Sequence, residues 1–391
     1  MTPAARVQAA IEVLDLVIDA ASERRAPADR IVTEWFRTRR FAGSKDRRAV
    51  RELLFRAIRA CGPVPATGRA AMLRLVADDP SLASLFDGSR HGPEPVRDGE
   101  PVAEGGSAPA WLEKRLVASG MDAAELATLL DRAPLDVRVN SLRGTTPSLP
   151  ENGEATHARL GLRYPPGTQV EQWDAWREGA IEVQDTASQL VCEALNARPG
   201  EQVIDLCAGA GGKTLALAAA MENRGRLLAC DVDRARLSRL APRAERAGAT
   251  MIEARLLNPG QERAMLEDWQ DAADAVLADA PCSGSGTWRR NPEARWRLDE
   301  AELERITRLQ HHVLNLAAGL VRPGGRLFYV VCSVLDEEGP DQVARFLAEN
   351  PDWRPVRPVL PAGNARGEGW RLTPFRDETD GFFVACLVSP C

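Results

Sequence analysis

QVIDLCAGAGGKTLALAAAM, residues 202–221, decides the fold. It reads as a short apolar strand, a glycine-dense turn and an alanine-rich helix. At such a junction the backbone N–H groups of the helix start face a ligand, and missing side chains let that ligand approach closely. Two common loops of this kind do not match. A P-loop needs its first glycine five residues before Gly212, where Cys207 stands. The dinucleotide fingerprint G-x-G-x-x-G accepts Gly209 and Gly211 but meets Thr214 at its third glycine.

Outward from this loop, RLLACDV (226–232), AVLADAP (275–281) and RLFYVVCSV (326–334) read as further strands. Between the last two lies a helix with Leu303, Ile306, Leu309, Val313, Leu316 and Leu320 on one face. Strands alternating with helices predict an α/β doubly wound, Rossmann-like sheet over residues 181–391. The second strand ends at Asp231, where an acid accepts hydrogen bonds from the ribose hydroxyls of an adenosine. Loop and acid together suit NAD or S-adenosylmethionine equally.

The remainder divides by pattern. Val7, Ile11, Leu14 and Ile18 share one helical face, and similar spacing continues to Ile58, so residues 1–85 read as an all-helical domain. Residues 86–109, rich in Gly, Pro and charge, read as a linker, and 110–180 as a small α+β connecting domain. The eight cysteines include no CxxC and the four histidines no zinc-site spacing, so reduced thiols and no metal are expected. No run of 18 apolar residues occurs and the N-terminus is amphipathic, which predicts a cytoplasmic protein with no membrane partner. The formal charge is −6, yet Arg24, Arg25, Arg30, Arg37, Arg39, Arg40, Lys45, Arg47, Arg48, Arg51, Arg56 and Arg59 form a local basic block. Only three lysines occur, so Lys213 inside the glycine loop stands out.

Five segments appear in order: VQDTASQLV (183–191), DLCAGAGGKT (205–214), DAPCSGSGTWRRNPE (279–293), YVVCSVLDEEG (329–339) and DGFFVACL (380–387). In this the chain resembles the Nol/Nop/Sun family of RNA cytosine-5 methyltransferases, in particular bacterial ribosomal-RNA enzymes with a NusB-like helical domain in front. The resemblance implies a class I S-adenosylmethionine-dependent methyltransferase domain. Its cofactor site would comprise Cys207, Ala208, Gly209, Ala210, Gly211, Gly212, Lys213, Asp231, Asn258 and Asp279. The family pattern has Ala-Pro where Gly209 and Ala210 stand here, and an aspartate after the third strand where EARLLNPG offers Asn258. Val331 replaces the usual threonine before Cys332.

Cytosine C5 is a poor nucleophile. A thiolate adding to C6 gives C5 enamine character; after methyl transfer the C5 proton must leave and the thiol be expelled. Attack and release are two tasks, and the resemblance assigns them to Cys332 and Cys282 in that order. A hydrogen bond at N3 relieves negative charge on the ring. Asp279 and Lys213 are expected beside the thiols. Trp288, Arg289 and Arg290 follow the thiol loop and are expected to contact RNA by stacking and phosphate pairing. The expected substrate is 16S ribosomal RNA, the chain a monomer. Transfer RNA is the alternative substrate, an RNA-binding ribosome-assembly factor with vestigial activity the alternative class, and a P-loop NTPase a third reading.

Overall fold

The computed structural model describes residues 1–23, 25–144 and 146–391, so Arg24 of the basic block lies outside the described residues. The chain forms two compact units, one of residues 1–131 with 287–300, the other of 132–286 with 301–391.

The first unit is built on helices Pro3–Ser22, Ala28–Arg37, Ser44–Ala60 and Gly68–Asp78. Thr2 caps the first by accepting from the Ala5 amide at 3.1 Å, and Pro3 occupies a position where the missing N–H costs nothing. Val7, Leu14, Val17, Val50, Leu54, Ile58 and Met72 form the core. The segment expected to be a linker is paired to this unit: the Gly62 amide donates to the Glu104 carbonyl, and Ala103 to that of Ala70. Helices Ala110–Ala118 and Ala123–Thr128 also belong here. The division therefore falls after Asp131, not at 109. A Gly- and Pro-rich stretch has no periodicity, and its backbone bonds run to distant residues.

Residues 287–300 belong to the helical unit although they lie between a strand and a helix of the other. Trp296 enters the helical core. The fully buried Arg295 donates to the carbonyls of Ile58 (2.7 Å) and Cys61 (2.6 Å), and Glu293 accepts from the Ala28 amide at 2.9 Å.

The second unit holds two sheets. Strands β1 (Leu135–Val139), β2 (Glu154–Ala155), β3 (Gly161–Tyr164) and β4 (Ile181–Val183) form an antiparallel sheet in the order β2-β3-β1-β4. The larger sheet contains β5 (Gln202–Asp205), β6 (Arg226–Asp231), β7 (Ile252–Leu256), β8 (Ala273–Asp279), β9 (Val321–Val331), β10 (Arg354–Val356), β11 (Asn364–Arg366), β12 (Gly369–Leu372) and β13 (Phe382–Val388). Its order is β11-β12-β13-β9-β8-β5-β6-β7, with β10 on β13. Strands β5 to β9 are mutually parallel, and β13 runs antiparallel to β9. This is the expected Rossmann-like sheet. Chain order reverses at β5, the point where such sheets bind ligands at their carboxyl ends. No helix among the described residues is long and apolar enough to cross a membrane.

Candidate active site

The glycine loop leaves β5 at Asp205 and enters the helix Gly212–Ala220. Gly211 has φ +84°, and a Cβ there would lie 2.2 Å from a Leu240 methyl, so glycine is required both by conformation and by space. Nothing lies within 4 Å of where a Cβ on Gly212 would point, which leaves the helix start open. Asp231, at the end of β6, accepts from the Gly209 amide and from that of Asp233, each at 2.7 Å. Its two oxygens hold the loop and keep lone pairs for a ligand. Beneath the loop, fully buried Asp205 accepts from the Thr214 hydroxyl at 2.6 Å, while its other oxygen has no partner. Burial, only partly offset by Thr214, pushes the Asp205 carboxyl up to about 7.

A cleft of about 390 Å³ opens at these strand ends. Cys207, Asp231, Asp279, Cys282 and Cys332 line its polar floor; Leu257, Leu309, Val313 and Leu316 line an apolar wall, with Arg236, Glu262 and His312 also present. Three of the wall residues come from the amphipathic helix Glu300–Ala318. An apolar wall opposite an acid that keeps free lone pairs makes a slot suited to a flat ring carrying hydroxyl groups.

The two thiols meet here. Asp279 of β8 is in register with Val330 of β9, and Cys282 and Cys332 follow a few residues beyond. Their sulfurs are 3.2 Å apart. The hydrogen bond to Cys332 and then burial push the Cys282 thiol well above its ordinary range, so Cys282 stays protonated. Lys213 donates to Asp279 at 2.7 Å and lies 5.3 Å from the Phe382 ring centre. Burial disfavours its charge, but the Asp279 carboxylate overcomes this and raises the ammonium's pKa.

Both thiol loops are fixed by Glu338, which the sequence reading did not single out although it lies in the YVVCSVLDEEG segment. This fully buried carboxylate accepts from the Ser283 amide (2.7 Å), the Ser283 hydroxyl, the Ser333 hydroxyl (2.5 Å) and the Gln310 amide (2.9 Å). Its own carbonyl accepts from the Tyr329 hydroxyl at 2.7 Å. Burial raises its pKa against these bonds. Ser283 and Ser333 each directly follow a thiol, so one acid sets the spacing of both.

Cys332, Cys282, Asp279, Asp231 and Cys207 thus converge on the cleft, with Lys213 joined through Asp279 and the Gly209 amide through Asp231. Two expectations are corrected. Asn258 is exposed, its amide turned to Gln261 at 3.4 Å, and it is Leu257 that lines the cleft, because β7 ends at Leu256 and the next residue alone points inward. Trp288 has no exposed surface and Arg289 is 8% exposed, so neither offers a face to an RNA base or phosphate; Arg290 is half-buried. They are buried because residues 287–300 are packed into the helical unit.

The family described as 16S rRNA methyltransferase RsmB/F matches residues 192–388. A ribosomal RNA small subunit methyltransferase B of Xanthomonas campestris is 33% identical over 307 residues, covering 75% of this chain and 69% of the relative. One of Klebsiella pneumoniae is 35% identical over 213 residues, covering 54% and 47%. The chain spans about half to two thirds of the length of several curated relatives it matches. Among solved structures, that of PH0851 aligns over 99% of both chains with a TM-score of 0.76 and 25% identity. A methyltransferase homologue from Pyrococcus horikoshii aligns over 72% of this chain and 99% of its own, with a TM-score of 0.59 and 23% identity. By the match of its sheet-forming half and by 33% identity to a relative of which it covers 69%, the chain belongs to the RsmB/F family of 16S rRNA methyltransferases.

Proposed function

We propose that this chain methylates C5 of a cytosine in small-subunit ribosomal RNA, using S-adenosylmethionine. The observation that carries this reading is the pair of thiols 3.2 Å apart at neighbouring strand ends, opening into a cleft with an adenosine-type acid. The residues fit the cofactor: Asp231 keeps acceptor capacity for the ribose, Leu257 and Val313 offer a purine wall, and Asp279 lies toward the thiols. When bound, S-adenosylmethionine supplies an electrophilic methyl group.

Cys332 bonds to C6 of the base, and the displaced electron density makes C5 nucleophilic. Cys282, held as a thiol 3.2 Å from the Cys332 sulfur, is placed to donate to it and so to stabilise a Cys332 thiolate before attack. Once that sulfur is bonded to carbon its negative charge is gone, and with it a principal reason for Cys282 to remain protonated. Cys282 is then placed to assist removal of the C5 proton. The C6–S bond breaks, its electron pair returning to Cys332. Asp279 and the charged Lys213, paired at 2.7 Å, are placed to hydrogen-bond the polar edge of the base and balance charge on the ring.

The helical unit would hold the folded substrate. Of the basic block, Arg25, Arg37, Arg39, Arg51 and Arg56 pair with acids of the same unit. Arg30, Arg40, Lys45 and Arg48 are exposed and enter no ion pair among the described residues, which leaves them for phosphates. Bisulfite mapping of total RNA from a deletion strain tests the proposal. Loss of one methylcytosine in small-subunit RNA is expected, and an unchanged map refutes it.

A further inference from the structure

Along β1 and just past its end three alternate residues, Asp136, Arg138 and Asn140, are polar and buried, with exposures of 1%, 6% and 1%. Two are fully served. Asp136 accepts two hydrogen bonds from Arg163 and one from the Thr186 hydroxyl. Asn140 donates to the Gly179 and Ala247 carbonyls and accepts from Leu142.

Arg138 is different. Its Nε donates to the neutral Gln184 amide oxygen at 2.7 Å, and its two terminal nitrogens have no hydrogen-bond partner among the described residues. The nearest acid in its strand register, Glu182, is already held by Arg243 and Arg246. A buried guanidinium without a paired anion is costly. Burial lowers its pKa, and the nearby Cys192 and Glu182 only partly oppose this.

Arg138 lines a cavity of about 320 Å³, distinct from the cleft at the strand ends. Gln189, 1% exposed, lines it too, and its amide oxygen is buried with no donor. Ser141 and the exposed Arg159 stand in its wall with Cys192 and Glu193, whose carboxyl accepts from the Arg159 amide at 2.9 Å and is raised in pKa by burial, and Ala216 and Ala219 of the helix beginning at Gly212 close it with an apolar surface. The cavity thus presents a cation with two unbonded terminal nitrogens, beside the buried Gln189 oxygen that lacks a donor. Its size is at the lower end of small-molecule sites, roughly 300–1,000 Å³.

We propose that this cavity binds a small hydroxylated oxyanion, its anionic group on Arg138 and its hydroxyl on Gln189. The free edge of the guanidinium matches two oxygens of a phosphate or carboxylate, and the Gln189 oxygen requires an O–H on the same ligand. The chemistry is shared by sugar phosphates and hydroxy acids.

The test is calorimetric titration of the full chain at fixed ionic strength with ribose 5-phosphate and, separately, D-glycerate. Saturable one-to-one binding of either supports the site, and the tighter one identifies the source of the anion. Arg138→Gln should weaken it about tenfold or more, the loss expected for a charge-assisted bond. Gln189→Glu, which supplies an internal carboxylate at nearly unchanged volume, should do the same and keeps the test valid if the arginine variant fails to fold. Absence of binding by both probes, or binding that Gln189→Glu leaves unchanged, overturns the proposal. So does binding that Asp231→Ala abolishes, since the probe would then occupy the other cleft.

Discussion

The sulfur of Cys282 lies 3.2 Å from that of Cys332, and the residue after each thiol is bonded to the same carboxylate, Glu338. The two loops are therefore positioned as one device. In the proposed mechanism a thiol held protonated beside a second thiol gives the pair an order, Cys282 donating and Cys332 attacking.

Cys282→Ala should accumulate a protein–RNA adduct that survives denaturing electrophoresis, because attack proceeds and release does not. Cys332→Ala should form none. The reverse pattern would make Cys282 the attacking residue.

Glu338→Gln replaces an acceptor facing four donors with a group that is itself half donor. Charge-assisted hydrogen bonds contribute about 1.5–3 kcal/mol each, so a stability loss of that order is expected in urea unfolding. Methyl transfer should slow with little change in cofactor affinity, since Glu338 touches the thiol loops and not the Asp231 side of the cleft. A variant with weakened cofactor binding and unchanged turnover would contradict this.

Asp231→Ala removes the carboxylate that anchors the Gly209 amide and, in the proposed cofactor site, accepts from the ribose. Calorimetry should find S-adenosylmethionine bound more weakly by roughly one to two decades. Equal affinity in both proteins would remove Asp231 from the cofactor site.

Asp205 gives a pH signature. Its folded pKa, raised to about 7 by burial, lies above the ordinary aspartate value of 3.8. Between these values the unfolded chain loses the proton while the folded chain keeps it, so this group's contribution to stability falls as pH rises through that window. Asp205→Asn lacks that fall. Relative to wild type it should gain, between pH 4 and pH 7, on the order of 3 kcal/mol, at about 1.4 kcal/mol per pH unit. A wild-type-minus-variant difference that is flat across this range would show that Asp205 is ionised in the fold.

Charge reversal of Arg30, Arg40, Lys45 and Arg48 together should weaken ribosomal RNA binding and flatten its dependence on salt, each lost phosphate contact lowering the slope by about one. Cofactor binding should not change. Substitution is the appropriate test because deleting the helical domain would strip the cover from Trp296 and Arg295. An unaltered salt slope would show that these cations do not meet phosphates.

Much of the catalytic half could be read from residues alone. Strand, glycine turn and alanine helix at 202–221 obey local rules of periodicity and conformation, and Asp231, Asp279, Cys282 and Cys332 follow strand ends that those rules locate. Other positions could not be read this way. Trp288 and Arg289 look like an exposed basic loop, yet their segment is buried through Arg295, whose carbonyl partners lie more than 230 residues earlier in the chain. Glu338 looks like one acid among several in LDEEG until two serines from the loops after separate strands close on it. Asn258 and Leu257 differ by one residue, and the end of β7 decides which faces the cleft. Local sequence determines strand, turn and helix because backbone geometry and side-chain period act over a few residues; whether a charged side chain is solvated or buried depends on partners brought together only when distant segments pack.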